Sequence, residues 1–144
     1  MIKDRFKLIP TSHLLLVRGN KILLSRRCNT GWEDGKYSLV AGHLDGNETF
    51  REAMIREAKE EAGIDINLED LEVVHVMHRK SSDERIDFFL IAKKWREEPR
   101  IMETNKCDDM KWFEINKLPE NTIPYIRQAI ECFLKKVFYS ESGW

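Results

Sequence analysis

Residues 42–64 read GHLDGNETFREAMIREAKEEAGI, a glycine turn running into a helix that dictates much of what must surround it. Thr49 followed by Glu52 has capping-box spacing, and Gly63 stands where a helix ends in left-handed geometry. The spacing therefore predicts a helix over 49–62. At about 100° per residue, Phe50, Ala53 and Met54 share one side, and Glu57, Glu60 and Glu61 continue that side one to two turns later. The opposite side already carries Glu52, Arg56 and Lys59. An apolar stripe that should enter a core thus turns acidic halfway along. Carboxylates at i, i+3 and i+4 can touch one object, and on a core-facing stripe they repel one another unless a cation sits among them. Oxygen-only ligands favour hard ions, Mg2+ or Mn2+, over zinc, and substrate phosphates often complete such a shell. A solvated acidic face is the competing reading of the spacing taken alone.

Around this helix the chain reads as strands. Residues 13–18 and 21–28 are apolar runs separated by Gly19-Asn20, a hairpin signal, so two antiparallel strands are expected there. Arg26 and Arg27 close the second run; phosphate contact and a solvated strand edge are both open for them. The glycine-punctuated segment 29–36 is a loop whose Trp32 either stacks on a base or plugs the sheet. Residues 37–40 form a short strand into Gly42, and Asp45-Gly46-Asn47 makes a tight turn. A second antiparallel pair is expected at 71–79 and 85–95, then an irregular stretch 96–109 and a short strand 110–114. Leu118-Pro119 breaks the chain before a last helix starting near Thr122, with Pro124 in its first turn. Ile123, Ile126, Ile130, Phe133, Leu134 and Val137 would line its buried face. The tail from Tyr139 to Trp144 reads as short and polar, ending in an aromatic.

A chain of 144 residues fits one α/β domain, 1–144, with a mixed sheet. Lys and Arg number 24 against 25 Asp and Glu, a balance that argues against binding a nucleic acid polymer through bulk charge. No signal peptide or long apolar run is visible, so neither export nor membrane spanning is expected. Cys28, Cys107 and Cys132 fit neither zinc spacing nor a disulfide framework, and read as reduced thiols of a cytoplasmic protein.

The stretch 42–64 also resembles the Nudix box, G-x5-E-x7-R-E-U-x-E-E-x-G-U, where U is aliphatic. Gly42, Glu48, Arg56, Glu57, Glu60, Glu61 and Gly63 occupy its fixed positions, and Ala58 and Ile64 its aliphatic ones. The strand into Gly42, the following histidine, and the late Trp112-Phe113 strand with Leu118-Pro119 are similar to the MutT-like branch. Two departures stand out: Ala41 replaces a common glycine, and Asp45-Gly46-Asn47-Glu48 replaces Glu-Pro-Gly-Glu. The resemblance implies an α/β/α sandwich with a central mixed sheet and Mg2+- or Mn2+-dependent cleavage of a pyrophosphate linkage in a nucleotide.

By the same resemblance Glu57, Glu60 and Glu61 are expected to hold the metal. Gly42 would let the backbone approach it, and Arg56 would pair with Glu48 to orient the catalytic carboxylate. Glu57 is the first candidate for general base, with Glu103, in the loop before the Trp112 strand, as an additional acidic ligand. His43, Arg26 and Arg27 are candidates to contact substrate phosphate, and Trp32, Phe89 and Trp144 to stack on the base. A MutT-like nucleoside or deoxynucleoside triphosphate pyrophosphohydrolase is the favoured activity. ADP-ribose or another nucleotide sugar is the alternative substrate, and a non-catalytic nucleotide sensor the alternative class. The partner is a small-molecule nucleotide; a homodimer is compatible with the sequence.

Overall fold

Alternating apolar residues are distributed over two sheets, and where the chain changes sheet decides where a cleft can open. The computed structural model describes residues 3–144. Strand β1 (Ile9–Leu15) is followed at once by the two-residue β2 (Val17–Arg18), then β3 (Lys21–Arg27), β4 (Tyr37–Ser38) and β5 (Ala41–His43). Helix α1 (Phe50–Ala62) and one 3-10 turn (Leu68–Asp70) lead into β6 (Leu71–Lys80) and β7 (Glu84–Ala92). Strand β8 (Cys107–Glu114), helix α2 (Pro124–Leu134) and β9 (Tyr139–Ser142) complete the fold.

The larger sheet has the order β5-β1-β7-β6-β9, with β1 parallel to β7 and β6 parallel to β9. The smaller one is built on β3, which pairs along its length with β8 and at its two ends with β2 and β4. Helix α1 lies over β1, β5 and β7, while α2 packs against β6. Met54, Ala58 and Ala62 join Leu14 and Leu90 in one core; Ile126 and Ile130 join Leu15, Met77 and Phe89 in another. The molecule is therefore a mixed central sheet between two helices, the expected α/β/α arrangement. None of its described helices is long and apolar enough to cross a membrane.

Helix α1 has the termini its sequence predicts. The Thr49 side chain accepts from the Glu52 N–H, Glu52 answers to the Thr49 N–H, and Gly63 ends the helix at φ 67°. Gly46 and Asn47 make the preceding turn at positive φ.

Five expectations are corrected. The 13–18 and 21–28 hairpin is real only at its tip, because β1 begins at Ile9 and belongs to the other sheet. Its residues Thr11 to His13 pair with β5, so a uniformly apolar run is shared between two sheets at Leu16. The second antiparallel strand, expected over 85–95, stops at Ala92, and the last strand starts at Cys107, not Met110. Helix α2 stops at Leu134, leaving Val137 outside it and exposed. The tail is a strand, parallel to β6, and its Ser140 Oγ meets the buried His75 Nε2 at 2.8 Å.

Candidate active site

Helix α1 presents its acidic turn to the edge strand β5, and a cleft of about 1000 Å3 opens there between the two sheets. Gly42, the middle residue of β5, abuts the Glu57 side chain so closely that a Cβ on it would overlap the carboxyl. A glycine is required for this approach, not for a special φ. The carboxyl of Glu61 sits against that of Glu57. Burial, followed by this neighbour and the charge of Glu103, pushes Glu61 well above the ordinary carboxyl range, although the Ala41 N–H points at it and opposes the shift. Negative charge is therefore concentrated where burial makes it costly.

Arg56 clamps this arrangement from the other side. Its Nη2 and Nε donate to the two carboxylate oxygens of Glu48 at 2.7 and 3.2 Å, its Nη1 donates to Glu57 Oε1 at 2.7 Å, and Nη2 also reaches the His43 carbonyl at 3.2 Å. The hydrogen bond from Arg56 and the Asp45 N–H hold the Glu48 carboxyl below its usual range, and the same bond raises the arginine. The guanidinium thus ties the turn, the edge strand and Glu57 into one unit, a task its planar fork suits.

Glu60 stands apart, half exposed and 3.6 Å from Arg56 Nη1. Among the described residues no three His, Cys, Asp or Glu side chains are gathered into a ready-made metal cage. The donor set nevertheless suits a hard divalent cation. Glu57 and Glu61 crowd together with Glu103 nearby and Glu60 on the same cleft wall, all oxygen donors carrying more negative charge than Arg56 alone offsets.

The other expected residues divide. His43 lies in the cleft, its Nε2 3.0 Å from Arg85 Nη1; since arginine can only donate, that nitrogen accepts. Arg26 and Arg27 also line the cleft but are engaged within the protein. Arg26 donates to Asp108 at 2.7 Å, and Arg27 braces the 28–36 loop through the Trp32 carbonyl and Thr30. Trp32 is 45% exposed at the cleft wall, 6.4 Å from the Tyr125 ring, and so does not plug the sheet. Phe89 is fully buried and stacked behind His13, out of reach of a ligand. Trp144 packs on His78 and donates its indole N–H to that residue's carbonyl, away from the cleft.

The sequence reading passed over the cleft floor. Asp87 is fully buried on β7, where it accepts from Arg79 Nε at 2.7 Å and lies 3.2 Å from His13 Nε2. Burial pushes its carboxyl up, but His13 and Arg79 outweigh this and hold it at about 2. The Arg79 guanidinium lies 3.8 Å over the Tyr125 ring, whose hydroxyl burial pushes up to about 12. One signal was available: an aspartate inside the apolar run 86–92 must find a buried cation.

A family model described as the NUDIX domain matches residues 8–133. Among curated proteins, the chain is 34% identical over 61 residues to "NAD-capped RNA hydrolase NudC" of Stutzerimonas stutzeri, covering 42% of this chain and 21% of that one. It is 23% identical over 113 residues to the protein of the same name from Pseudomonas putida, covering 78% of this chain. The chain spans 21% and 39% of the lengths of these two relatives. Among solved structures, the MutT NUDIX hydrolase from Burkholderia pseudomallei superposes with a TM-score of 0.80 at 25% identity, over 88% of this chain and 98% of that one. The E. coli ORF135 protein superposes with a TM-score of 0.76 at 20% identity, over 90% of each.

Proposed function

The chain belongs to the Nudix hydrolase family, and from that premise we propose that it hydrolyses a pyrophosphate linkage in a nucleotide, with a divalent cation, Mg2+ or Mn2+, as cofactor. The observation that carries this reading is the crowding of Glu57 and Glu61 beneath Gly42, with Arg56 fixing Glu57 in place. Glu57, Glu60 and Glu61 would hold the cation, with Glu103 and the Gly42 backbone beside them. When bound, it would offset phosphate charge and make water a better nucleophile at neutral pH.

The chain's own groups do the remainder. Glu57, held by Arg56 and set against Gly42, is oriented towards the cleft, and the carboxylate oxygen not bonded to Arg56 is the candidate to take a proton from attacking water. Glu103 is the second candidate for that role. Arg85, which donates from Nε to Asp83 at 2.8 Å and from Nη1 to His43 Nε2 at 3.0 Å, lines the cleft and could turn its guanidinium to a phosphate that the acidic helix would repel. Arg26 and Arg27 contribute positive potential at the mouth while bonded to Asp108 and to the Trp32 loop.

The favoured substrate is a nucleoside or deoxynucleoside triphosphate, cleaved to monophosphate and pyrophosphate by a MutT-like enzyme in the cytoplasm. Similarity to proteins named NAD-capped RNA hydrolase supports a second reading, a dinucleotide pyrophosphate such as NAD or an NAD-type cap. ADP-ribose falls in the same class of nucleoside diphosphate derivatives. One screen tests all of these: nucleoside triphosphates, NAD, ADP-ribose and NAD-capped RNA, each with Mg2+ or Mn2+, with products identified by mass. Triphosphate turnover with pyrophosphate release is the expected result. Saturable nucleotide binding without turnover of any compound would leave a nucleotide sensor and overturn the enzymatic reading.

A further inference from the structure

Two polar atoms on the floor of the cleft are buried without a hydrogen-bond partner among the described residues: Thr11 Oγ1 and His13 Nδ1. Two other buried side-chain atoms also lack a hydrogen bond, but Glu33 Oε2 is 2.7 Å from the Lys36 ammonium and His78 Nε2 is 3.9 Å from Glu84. Thr11 and His13 have no such charge beside the unpartnered atom. They are 6% and 2% exposed, and both line the cleft. Two residues apart on β1, they point to one side of the sheet, next to the β5 residues His43 and Ala41 with which they are in register. The floor thus lies one strand inward, roughly 5 Å, from the strand that carries Gly42.

The His13 ring is fixed on every other side. Phe89 stacks on it at 4.5 Å, Tyr125 meets its edge at 5.8 Å, and its Nε2 faces Asp87, a carboxylate also held by Arg79. An ionised carboxylate can only accept, so Nε2 carries hydrogen towards Asp87, and in its neutral form the ring offers a lone pair at Nδ1. Trp32 and Tyr125 also line the cleft, and the half-exposed Trp32 indole offers a nucleobase a ring to stack on.

We propose that Thr11 and His13 read the edge of the substrate's base and select one bearing an exocyclic amino group. An NH2 group has two diverging N–H bonds that reach acceptors about 5 Å apart, and side chains rising from Cα atoms about 6.5 Å apart, two residues along a strand, need lean only slightly together to offer them. One N–H meets His13 Nδ1 and the other Thr11 Oγ1. A carbonyl at the same place accepts from the threonine hydroxyl but sets a lone pair against the His13 lone pair. Cytosine and adenine therefore fit the floor, while uracil and hypoxanthine, which carry a carbonyl there and a ring N–H beside it, do not. The selection rests on the nucleotide reading above, but not on turnover.

The test is equilibrium binding of CMP, UMP, AMP and IMP to the intact protein without added metal, followed by calorimetry. Binding of CMP over UMP and of AMP over IMP is expected to be tighter by about tenfold or more. In Thr11→Val, which keeps shape and loses the hydroxyl, and in His13→Phe, which keeps the stack, each ratio should fall to within about twofold. Equal binding of amino and keto partners by the unsubstituted protein overturns the proposal, as does an undiminished preference in Thr11→Val or the absence of saturable binding by all four. An amino preference without hydrolysis of any nucleotide retains this inference and removes the enzymatic one. Hydrolysis indifferent to the base does the reverse.

Discussion

Glu61 has its carboxyl packed against that of Glu57 beneath β5, and burial with that neighbour makes its charged form unfavourable. Glu61→Gln keeps the shape and removes the charge. It should cut kcat by roughly 10²-fold or more if the carboxylate holds the cation, while leaving Tm unchanged or higher. Thermal melts and initial rates on one preparation check both halves. Asp87 behaves in the opposite sense. Its carboxyl is held at about 2 against an ordinary 3.8, so it contributes stability present above about pH 4 and lost as pH falls towards 2. That contribution is roughly 2–3 kcal/mol. Asp87→Asn should flatten the acid limb of a stability-against-pH curve. At neutral pH it should cost about 3–5 kcal/mol, because Arg79 is left buried without its counter-charge.

Helix α1 is legible because each of its parts is local. The capping pair, the left-handed glycine and the stripe all lie within one continuous segment, and all are where the sequence places them. Thr49→Ala should cost about 1 kcal/mol, read by urea titration, with activity kept once the protein is folded. What the sequence conceals is the partner of each element. Nothing in the run 13–18 says that the chain leaves one sheet for the other at Leu16, and nothing local announces that the tail 139–142 pairs with β6. The floor residues Thr11, His13 and Arg79, and Asp87 buried behind them, come from three strands and meet only after the sheet is assembled. Gly42 shows the same limit: the box identifies the residue, but only the packing shows that Glu57 is what approaches it. In Gly42→Ala the added methyl meets the movable end of a side chain, not backbone. Stability should change little while activity falls by ~10²-fold through a displaced Glu57; comparing Tm with kcat/KM tests the split.

The whole molecule sets two walls of opposite character across one cleft. The acidic end of α1 stands on one side, and on the other Arg79 and Arg85 of β6 and β7, each paired with an aspartate, Asp87 and Asp83. If Glu57, Glu60 and Glu61 hold a divalent cation as proposed, activity should collapse with a chelator such as EDTA and return with excess Mg2+ or Mn2+. Persistence of full activity after exhaustive chelation would contradict the cofactor assignment. The larger sheet also has a vulnerable side. Strand β9 is short, but it occupies the hydrogen-bonding edge of β6 along 76–79. A chain shortened before Tyr139 would offer that backbone to any other extended chain, and a bare strand edge is a template for self-association. Such a truncation should scatter light and elute early from a sizing column, whereas a fusion placed beyond Trp144 should not. The last turn of sequence is in this sense a solubility device as much as a tail.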